Sequence, residues 1–349
     1  MVEIQILEKK INDLNPTYII AELSANHNHD FELAVKTVEA AAKTGVDAIK
    51  LQTYTPDTIT LNSDLPHFRT REDSIWAGQR LYDLYQKAYT PWEWHPKLQE
   101  VANRLGLHFF SSPFDNSAVD FLEKMDVPAY KIASLEITDI PLIEYTAAKG
   151  KPMILSTGIA GEEDVQLAVD ACHRQGNRQI AILKCTSAYP TPLEDSNLNT
   201  IPLIAEKFKA VVGLSDHTLG TLVPTIAVSL GARIIEKHII LDKSLGGVDS
   251  AFSLDPGEFK ELVDNVRNTE KALGQATFEP NEKMVSAKRS ARSLFAIKDI
   301  QPGQIANLDN VRSLRPGLGL HPKYLSQVLG KKAKGIIKRG TPLSFDLFE

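Results

Sequence analysis

Two histidines each close a short apolar run in the second half of the chain. His217 ends the run 211–217 and His238 ends the run 232–238. Each run has the length and composition of a buried strand, so the pair predicts a divalent-metal site. Two nitrogens are too few for a closed zinc site, but they suit an open site that water and substrate complete. Mn²⁺ is the expected ion, with Mg²⁺ or Co²⁺ as alternatives; for either histidine alone, a hydrogen-bonded core role is the competing interpretation.

Further reactive side chains stand at or just beyond the ends of these two runs and of the other apolar runs. They are Glu22, Lys50, Gln52, Ser111, Ser112, Lys131, Ser134, Glu136, Ser156, Thr157, Lys184, Thr186, Ser187, Ser215 and Lys237. Lysines and hydroxyls that converge from several strands are typical of a cradle for phosphate and carboxylate groups, although any one lysine is equally well explained as a surface cation. Glu22 is the acid–base candidate. The polar run 26–29 is open to two interpretations, as metal ligands or as substrate hydrogen-bonders.

Apolar runs and amphipathic stretches alternate through the first 275 residues. The predicted strands are 17–23, 48–52, 107–111, 129–133, 152–155, 181–184, 211–214 and 233–237, and helical patterns cover 31–44, 117–125, 140–149, 162–175, 203–209, 220–230 and 256–273. Eight strands that alternate with helical patterns predict a (β/α)₈ TIM barrel, whose reactive residues stand at the C-terminal ends of the strands. An open doubly wound sheet is disfavoured, because no glycine-rich turn follows the first strand. The long stretch 54–91 is either a substrate lid or wall, or a structural insertion.

The composition changes near residue 275. Residues 281–349 hold 13 Lys and Arg against 5 Asp and Glu, and Ile-Gln-Pro-Gly at 300–303 is echoed by Ile-Lys-Arg-Gly at 337–340. We therefore predict a barrel over 1–277, a linker over 278–288 and a small β-rich domain over 289–349. The basic tail lacks the aromatic platforms of nucleic-acid binders, which favours docking on an acidic barrel of its own chain or of a partner subunit.

The overall composition is that of a soluble globular protein, with 43% hydrophobic and 24% charged residues among 349. No apolar stretch reaches the roughly 18 residues of a membrane span, and we expect no secretory signal at the N-terminus. Cys172 and Cys185 have no framework spacing. We therefore expect a cytoplasmic protein that contacts neither membrane nor nucleic acid.

The strand-end motifs, in this order, resemble those of the sialic-acid synthase family. They are Ile-Ala-Glu-Leu-Ser-Ala-Asn-His at 20–27, Ala-Ile-Lys-Leu-Gln-Thr-Tyr at 48–54, Ser-Ser-Pro-Phe at 111–114, Tyr-Lys-Ile-Ala-Ser-Leu-Glu at 130–136, Leu-Ser-Thr-Gly at 155–158, Cys-Thr-Ser-Ala-Tyr-Pro at 185–190, Gly-Leu-Ser-Asp-His at 213–217 and Ile-Glu-Lys-His at 235–238. The tail is similar to the family's antifreeze-like (SAF) domain through Arg-Ser-Leu-Arg-Pro-Gly at 312–317. Ser24, Leu135 and the stretches 53–57 and 317–322 point to the family's pseudaminic acid branch.

The resemblance implies a metal-dependent condensation of phosphoenolpyruvate (PEP) with a free amino sugar and water. C–O cleavage would release phosphate and a nine-carbon 2-keto acid. For the pseudaminic branch the sugar is 2,4-diacetamido-2,4,6-trideoxy-β-L-altropyranose. N-acetylneuraminate or legionaminate synthesis is the nearest alternative. A 3-deoxy-keto-acid phosphate synthase would need a second basic cluster for the phosphate on its sugar. A further alternative is an ice- or carbohydrate-binding tail on an inert barrel, but an inert barrel would not need charged residues at so many strand ends.

By motif position, the resemblance also implies roles for individual residues. PEP would be held by Lys50, Ser112, Lys131, Ser134, Ser156, Ser187 and Ser215, with Ser187 where sialate synthases often have asparagine. The sugar would be bound by Gln52, Glu136, Tyr189 and Asp249, and by Arg315 from the other subunit of a domain-swapped homodimer. Glu22 would orient or deprotonate the water, and a metal on His217 and His238 would polarise the sugar aldehyde.

Overall fold

The structure is a computed structural model that describes residues 2–72 and 74–349. It divides into two compact units, one ending at Gly274 and the other comprising Gln275–Glu349. The first unit confirms the predicted barrel: eight parallel strands pair in chain order, and the last closes the ring against the first. These strands are β3 (Tyr18–Glu22), β4 (Ala48–Thr53), β5 (His108–Pro113), β6 (Tyr130–Ile132), β7 (Met153–Ser156), β8 (Ile180–Cys185), β9 (Val211–Asp216) and β10 (Ile234–His238), after a hairpin of β1 (Ile4–Ile6) and β2 (Lys9–Ile11).

Helices cover the outside of the barrel, which is why its strands are apolar on both faces. The helices of this unit are α1 (Phe31–Thr44), α2 (Pro56–Ile59), α3 (Leu81–Ala88), α4 (His95–Arg104), α5 (Asn116–Lys124), α6 (Ile140–Ala147), α7 (Glu162–Arg174), α8 (Thr200–Phe208), α9 (Leu222–Ser229) and α10 (Pro256–Leu273). Of these, α2 and α3 belong to the stretch 54–91 and do not take part in this outer layer. Local signals set their ends. The Asp30 carboxylate caps α1 by accepting from the Leu33 amide, and Gly45, with a φ of 89°, ends it.

The N-terminal hairpin was not predicted from the sequence. Its isoleucines, Ile4, Ile6 and Ile11, are buried in the same core as the barrel strands. Its turn places Glu8 Oε1 3.0 Å from Nε2 of His108, the first residue of β5. The hairpin therefore covers the N-terminal end of the barrel, opposite the end where the strands deliver their reactive residues.

The second unit has its own small core and a two-stranded antiparallel sheet of β11 (Ser293–Ala296) and β12 (Val311–Leu314), with helices α11 (Glu282–Ala287) and α12 (Leu325–Val328). The internal echo has a structural counterpart. Ile300 and Ile337 exchange backbone hydrogen bonds of 2.8 and 2.9 Å. The two echoed glycines, Gly303 and Gly340, both take positive φ values, so each copy places a glycine in a left-handed turn.

Cys172 and Cys185 are free and buried. None of the helices in the described part of the chain has the length and apolarity to span a bilayer.

Candidate active site

A cavity of about 870 Å³ opens at the C-terminal ends of the barrel strands. This size is ordinary for a small-molecule site. Most of the residues predicted for the site line it: Glu22, Lys50, Gln52, Lys131, Ser134, Glu136, Ser156, Ser187, Tyr189, Ser215, His217, His238 and Asp249. The stretch 54–91 also contributes to the lining through Tyr54, Ile59, Thr70, Trp76 and Tyr85, among others. It therefore forms part of the cavity wall.

Two lysines and two carboxylates form a buried cluster on the cavity floor. Lys50 Nζ pairs with Glu22 and lies 3.8 Å from Glu236 Oε2, while Lys131 Nζ lies 3.4 Å from Glu236 Oε1. The Ser215 hydroxyl donates to Glu236 Oε1 at 2.9 Å. Strand register produces the cluster, because Lys50 stands opposite Glu22 and Glu236 stands opposite Ser215 in adjacent strands.

Burial and neighbouring charges divide the two carboxylates. Burial raises the pKa of Glu22 to about 7, against the opposing effect of Lys50. Glu236 is equally buried, but the charges of Lys131 and Lys50 overcome burial and lower its pKa. Burial lowers the pKa of Lys131 itself. The floor therefore holds one carboxylate that titrates near neutral pH, beside one that stays ionised.

Hydroxyl groups surround the lysines. Ser134 Oγ and Ser187 Oγ are 2.5 Å apart. Ser156 is buried, and its hydroxyl has no hydrogen-bond partner among the residues described. A buried donor without a partner is costly, so an acceptor brought by a ligand satisfies it. With the lysines, these hydroxyls make a cradle suited to an oxyanion.

Ser112 differs from the other predicted PEP residues because it does not line the cavity. Its side chain is fully buried and its hydroxyl accepts a hydrogen bond of 3.1 Å from Lys50 Nζ. Ser112 thus helps to hold the Lys50 ammonium in place. Its neighbour Ser111 bonds to Thr53 Oγ1 at 2.7 Å, on the opposite face of β5.

The two predicted metal ligands lie side by side, as the pattern of the strand ends predicted. The rings of His217 and His238 are 5.4 Å apart between centroids, and Tyr189 and Phe252 pack against them. Burial lowers the pKa of His217 to about 4 and that of His238 well below its usual range. Both imidazoles are therefore neutral at physiological pH, which is the form that binds metal.

The histidine pair fits a divalent ion in an open site, one in which the protein supplies only some of the ligands. His238 Nδ1 is buried without a hydrogen-bond partner in the described chain, with Asp249 Oδ2 at 3.7 Å. A metal ligand usually has its second ring nitrogen oriented by a neighbour, and His217 Nδ1 lies 3.2 Å from the Thr186 carbonyl oxygen. Within residues 2–72 and 74–349, no group of three or more His, Cys, Asp and Glu is arranged to hold a metal. A metal held by this pair would therefore have two protein ligands, with its other positions open to substrate and water.

Four of the five residues predicted to bind the sugar line the same cavity as this pair. Glu136 is largely buried, and burial raises its pKa to about 7. Asp249 accepts a hydrogen bond of 3.3 Å from the Ala25 amide, and burial raises its pKa as well. Gln52 and Tyr189 complete the group. Arg315 belongs to the second unit, in a segment after β12.

Several other strand-end residues have local partners instead. In the run 26–29, the Asn26 amide donates to Ile239 O and Ser253 Oγ at 2.8 Å, and His27 bonds to Thr90 Oγ1 at 3.0 Å. Lys237 pairs with Asp216 and donates to the Thr218 carbonyl. Lys184 donates to the Cys185 carbonyl at 2.7 Å and to Thr186. Asn26, His27, Lys184 and Lys237 are not part of the cavity lining, and the hydrogen bonds named here link them to other residues of the barrel.

Glu236 is the site residue that the sequence analysis did not single out. Its signal was strand alternation, since residues two apart in a strand share a face. It stands two before His238, so both point into the barrel. The intervening Lys237, with its more conspicuous charge, faces outward to Asp216.

Comparison with known proteins establishes the family. The NeuB family model matches residues 37–278, and the SAF domain model matches residues 291–349. This chain belongs to the NeuB family. The pseudaminic acid synthase of Helicobacter pylori is 49% identical to this NeuB-family chain over 337 residues, which are 96% of this chain and 99% of that protein. The N,N'-diacetyllegionaminic acid synthase of Legionella pneumophila is 36% identical over 352 residues, covering 98% of this chain and 99% of that protein.

A solved structure agrees with the family. The N-acetylneuraminic acid synthetase of Leptospira borgpetersenii, in complex with citrate, superposes with a TM-score of 0.72 at 32% identity. It covers 81% of this chain and 94% of its own. The resemblance inferred from the strand-end motifs is therefore confirmed at the level of family and fold.

Proposed function

We propose that this chain is a pseudaminic acid synthase, a transferase that condenses PEP with 2,4-diacetamido-2,4,6-trideoxy-β-L-altropyranose and water. The observation that carries the proposal is 49% identity, over nearly the whole chain, to a pseudaminic acid synthase. The legionaminic acid synthase match is lower, at 36%. The cavity supports the same chemistry, because it combines an oxyanion cradle with a pair of neutral histidines.

PEP carries a phosphate and a carboxylate, and the cradle offers donors for both. Lys50 and Lys131 supply the positive charge, and Ser134, Ser156, Ser187 and Ser215 supply hydroxyl donors. Ser156 supports this role most directly, since its buried hydroxyl has no partner in the described protein. Ser112 contributes indirectly, through its hydrogen bond to Lys50.

The reaction makes a C–C bond and breaks a C–O bond. C3 of PEP attacks the sugar aldehyde carbon, whose oxygen takes a proton and becomes a hydroxyl. Positive charge develops at C2, and the ionised Glu236 on the cavity floor stabilises it electrostatically. Water then adds to C2 and gives its proton to Glu22, whose pKa of about 7 suits a base at neutral pH. The C2 hydroxyl gives its proton to the departing phosphate as C2=O forms and the C2–O bond to phosphate breaks. The proton that Glu22 accepted balances the one that the aldehyde oxygen took up.

The divalent ion, with Mn²⁺ as first choice and Mg²⁺ or Co²⁺ as alternatives, would be held by His217 and His238. When bound, it supplies Lewis-acid polarisation of the sugar aldehyde. Burial keeps both imidazoles neutral, so the protein presents them ready to coordinate. Tyr189 and Phe252 exclude water from one side of the pair.

The sugar would lie over the histidines, against Gln52, Glu136, Tyr189 and Asp249. Arg315 would reach it from the second subunit of a domain-swapped homodimer.

Exposed large apolar side chains support the proposal that a second subunit covers the mouth of the cavity. They stand on several loops at the C-terminal end of the barrel, at Ile75, Leu135, Ile159, Leu193, Leu219 and Leu245. Apolar residues in this number on exposed loops are typical of an interaction surface. The free cysteines support a cytoplasmic setting.

The decisive experiment measures phosphate release from PEP with each candidate sugar. We expect rapid release with the diacetamido trideoxy altrose, and little with N-acetylmannosamine or the sugar precursor of legionaminate. Preference for either of those sugars would assign the chain to that reaction instead. Chelation with EDTA should abolish release and added Mn²⁺ should restore it; turnover that persists in EDTA would refute the metal proposal.

A further inference from the structure

A turn from the long stretch 54–91 carries a tryptophan to the mouth of the cavity. An antiparallel bridge joins Arg69 to Arg80 and closes the turn. Inside it, the Thr70 hydroxyl donates to the Trp76 carbonyl at 2.7 Å and accepts from the Gln79 amide at 3.1 Å. These bonds lie within the turn and hold the backbone of Trp76 in a defined position.

The indole ring then attaches the turn to the barrel rim. Trp76 Nε1 donates a hydrogen bond of 3.0 Å to the Val248 carbonyl. Val248 directly precedes Asp249, whose carboxylate lies 3.7 Å from His238 Nδ1. One hydrogen bond thus joins the turn to the segment that carries a proposed sugar ligand.

The same ring extends an aromatic wall that begins at the histidines. Tyr189 lies 4.5 Å from His217 between ring centroids, and Trp76 lies 5.7 Å from Tyr189. Trp76 is half-buried and lines the cavity. The wall therefore runs from the histidine pair outward to the mouth, and its outermost member is a large apolar ring.

We propose that Trp76 determines which acceptor sugar the enzyme prefers, by forming the outer wall of the sugar site. The inference rests on the proposed function. With the aldehyde carbon at the histidines, the far end of the sugar, C4 to C6, extends along the wall toward Trp76. In the diacetamido trideoxy sugar this end carries an acetamido group and a methyl group. In N-acetylmannosamine it carries hydroxyls, which gain nothing from an indole face.

Substitution of Trp76 by alanine tests the wall. In the full-length Mn²⁺-loaded enzyme, W76A should raise KM for the diacetamido sugar about ten-fold or more, as expected for loss of apolar contacts. KM for PEP and kcat should change less than about two-fold, because the cradle is untouched. The preference over N-acetylmannosamine should fall by a similar factor of about ten. Leu61→Ala is the matched control, since Leu61 lies in the same stretch but is exposed outside the cavity.

Tryptophan fluorescence provides a readout that does not depend on turnover. Saturating diacetamido sugar should shift the emission of the wild type and of L61A but not of W76A. A sugar-dependent shift that persists in W76A, an unchanged KM, or an equal loss for both sugars would overturn the proposal. A wild type that releases phosphate with neither sugar would instead refute the proposed function, so the two failures are distinguishable.

Discussion

Glu22, Lys50 and Glu236 show what individual residues contribute to the site. Glu22 and Lys50 were identifiable as candidates, because a charged residue at the end of an apolar strand points to the catalytic end of a barrel. The ion pair between them, and its effect on the pKa of Glu22, could not be predicted from the sequence. Both depend on the distance between adjacent strands and on burial. Strand alternation predicts that Glu236 faces the cavity only after the inward face of β10 is known.

The role of Glu22 as a base has a direct test. Glu22→Gln retains the shape of the side chain but cannot accept a proton, so kcat should fall about 10²- to 10⁴-fold while KM for PEP changes little. In the wild type, kcat/KM should fall as the pH is lowered through about 7, since protonation of Glu22 in the free enzyme removes the base. Steady-state phosphate release measured across the neutral pH range checks both statements. A wild-type kcat in E22Q would contradict the assignment.

Substitution of Gly158 tests whether Ser134 and Ser187 contribute to PEP binding. A Cβ at this position would stand 2.2 Å from Ser187 Oγ and 2.8 Å from Ser134 Oγ, so Gly158→Ala must displace one or both hydroxyls. We expect KM for PEP to rise about ten-fold, equivalent to about 1.4 kcal/mol of binding, with the barrel still folded. Gly161→Ala is the control, because its Cβ would meet only Asp164 at 3.6 Å. Equal effects of the two changes on KM would show that the serine pair is not the cause.

At the scale of elements, the barrel strands and the seven helices named from the sequence were predicted reliably, whereas the N-terminal hairpin, α4 and the turn within 54–91 were not. The strands are continuous apolar runs, which is the pattern of parallel strands buried on both faces. The N-terminal hairpin was missed because its strands contain only three residues each, too few for periodicity to be visible. Within 54–91, the turn that carries Trp76 is closed by the Thr70 hydroxyl, a contact without a local sequence signature.

The buried His95 should make the stability of the protein depend on pH. His95 of α4 is fully buried, and Thr53 Oγ1 of β4 lies 2.9 Å from its Nε2. Burial lowers the pKa of His95 to about 4. Because the unfolded state binds the proton more tightly, the stabilisation is complete above about pH 6.5 and is lost as the pH falls toward 4.

Because the pKa of His95 is lower in the folded than in the unfolded state, the protein should lose stability as the pH falls. Between pH 7 and pH 5, His95 should cost the wild type about 2 kcal/mol of unfolding free energy. In His95→Gln this part of the loss should disappear, although the variant is less stable at pH 7. Urea unfolding monitored by circular dichroism at the two pH values provides the measurement. An identical pH dependence in H95Q would exclude His95 as a contributor.

At the scale of the whole molecule, the charge distribution is the main feature. The basic tail and the acidic remainder of the chain attract each other over a range set by ionic strength. This complementarity, with the apolar residues on the barrel loops, supports the proposed homodimer in which Arg315 completes the site of the second subunit.

Mixed dimers test whether the site is shared. Glu22→Gln and Arg315→Ala should each lower activity at subsaturating sugar when expressed alone. When the two variants are co-expressed, half the dimers combine one subunit of each kind, and one of their two sites is intact. About a quarter of the wild-type activity should therefore return, as two-fold symmetry requires. Failure to recover activity despite confirmed mixed dimers would place Arg315 in its own subunit's site or outside the chemistry.

The sequence by itself determined the barrel, the SAF domain, the family and most of the cavity-lining residues, because these depend on periodicity and on motifs at strand ends. Only the tertiary structure decided which polar residues face the cavity. It turned Ser112 toward Lys50, directed Lys237 outward to Asp216, and brought Glu236 between the two lysines. It also carried Trp76 from a distant stretch to the rim beside Asp249. These outcomes depend on strand register, barrel closure and burial, which act between residues far apart in the chain and leave no local pattern.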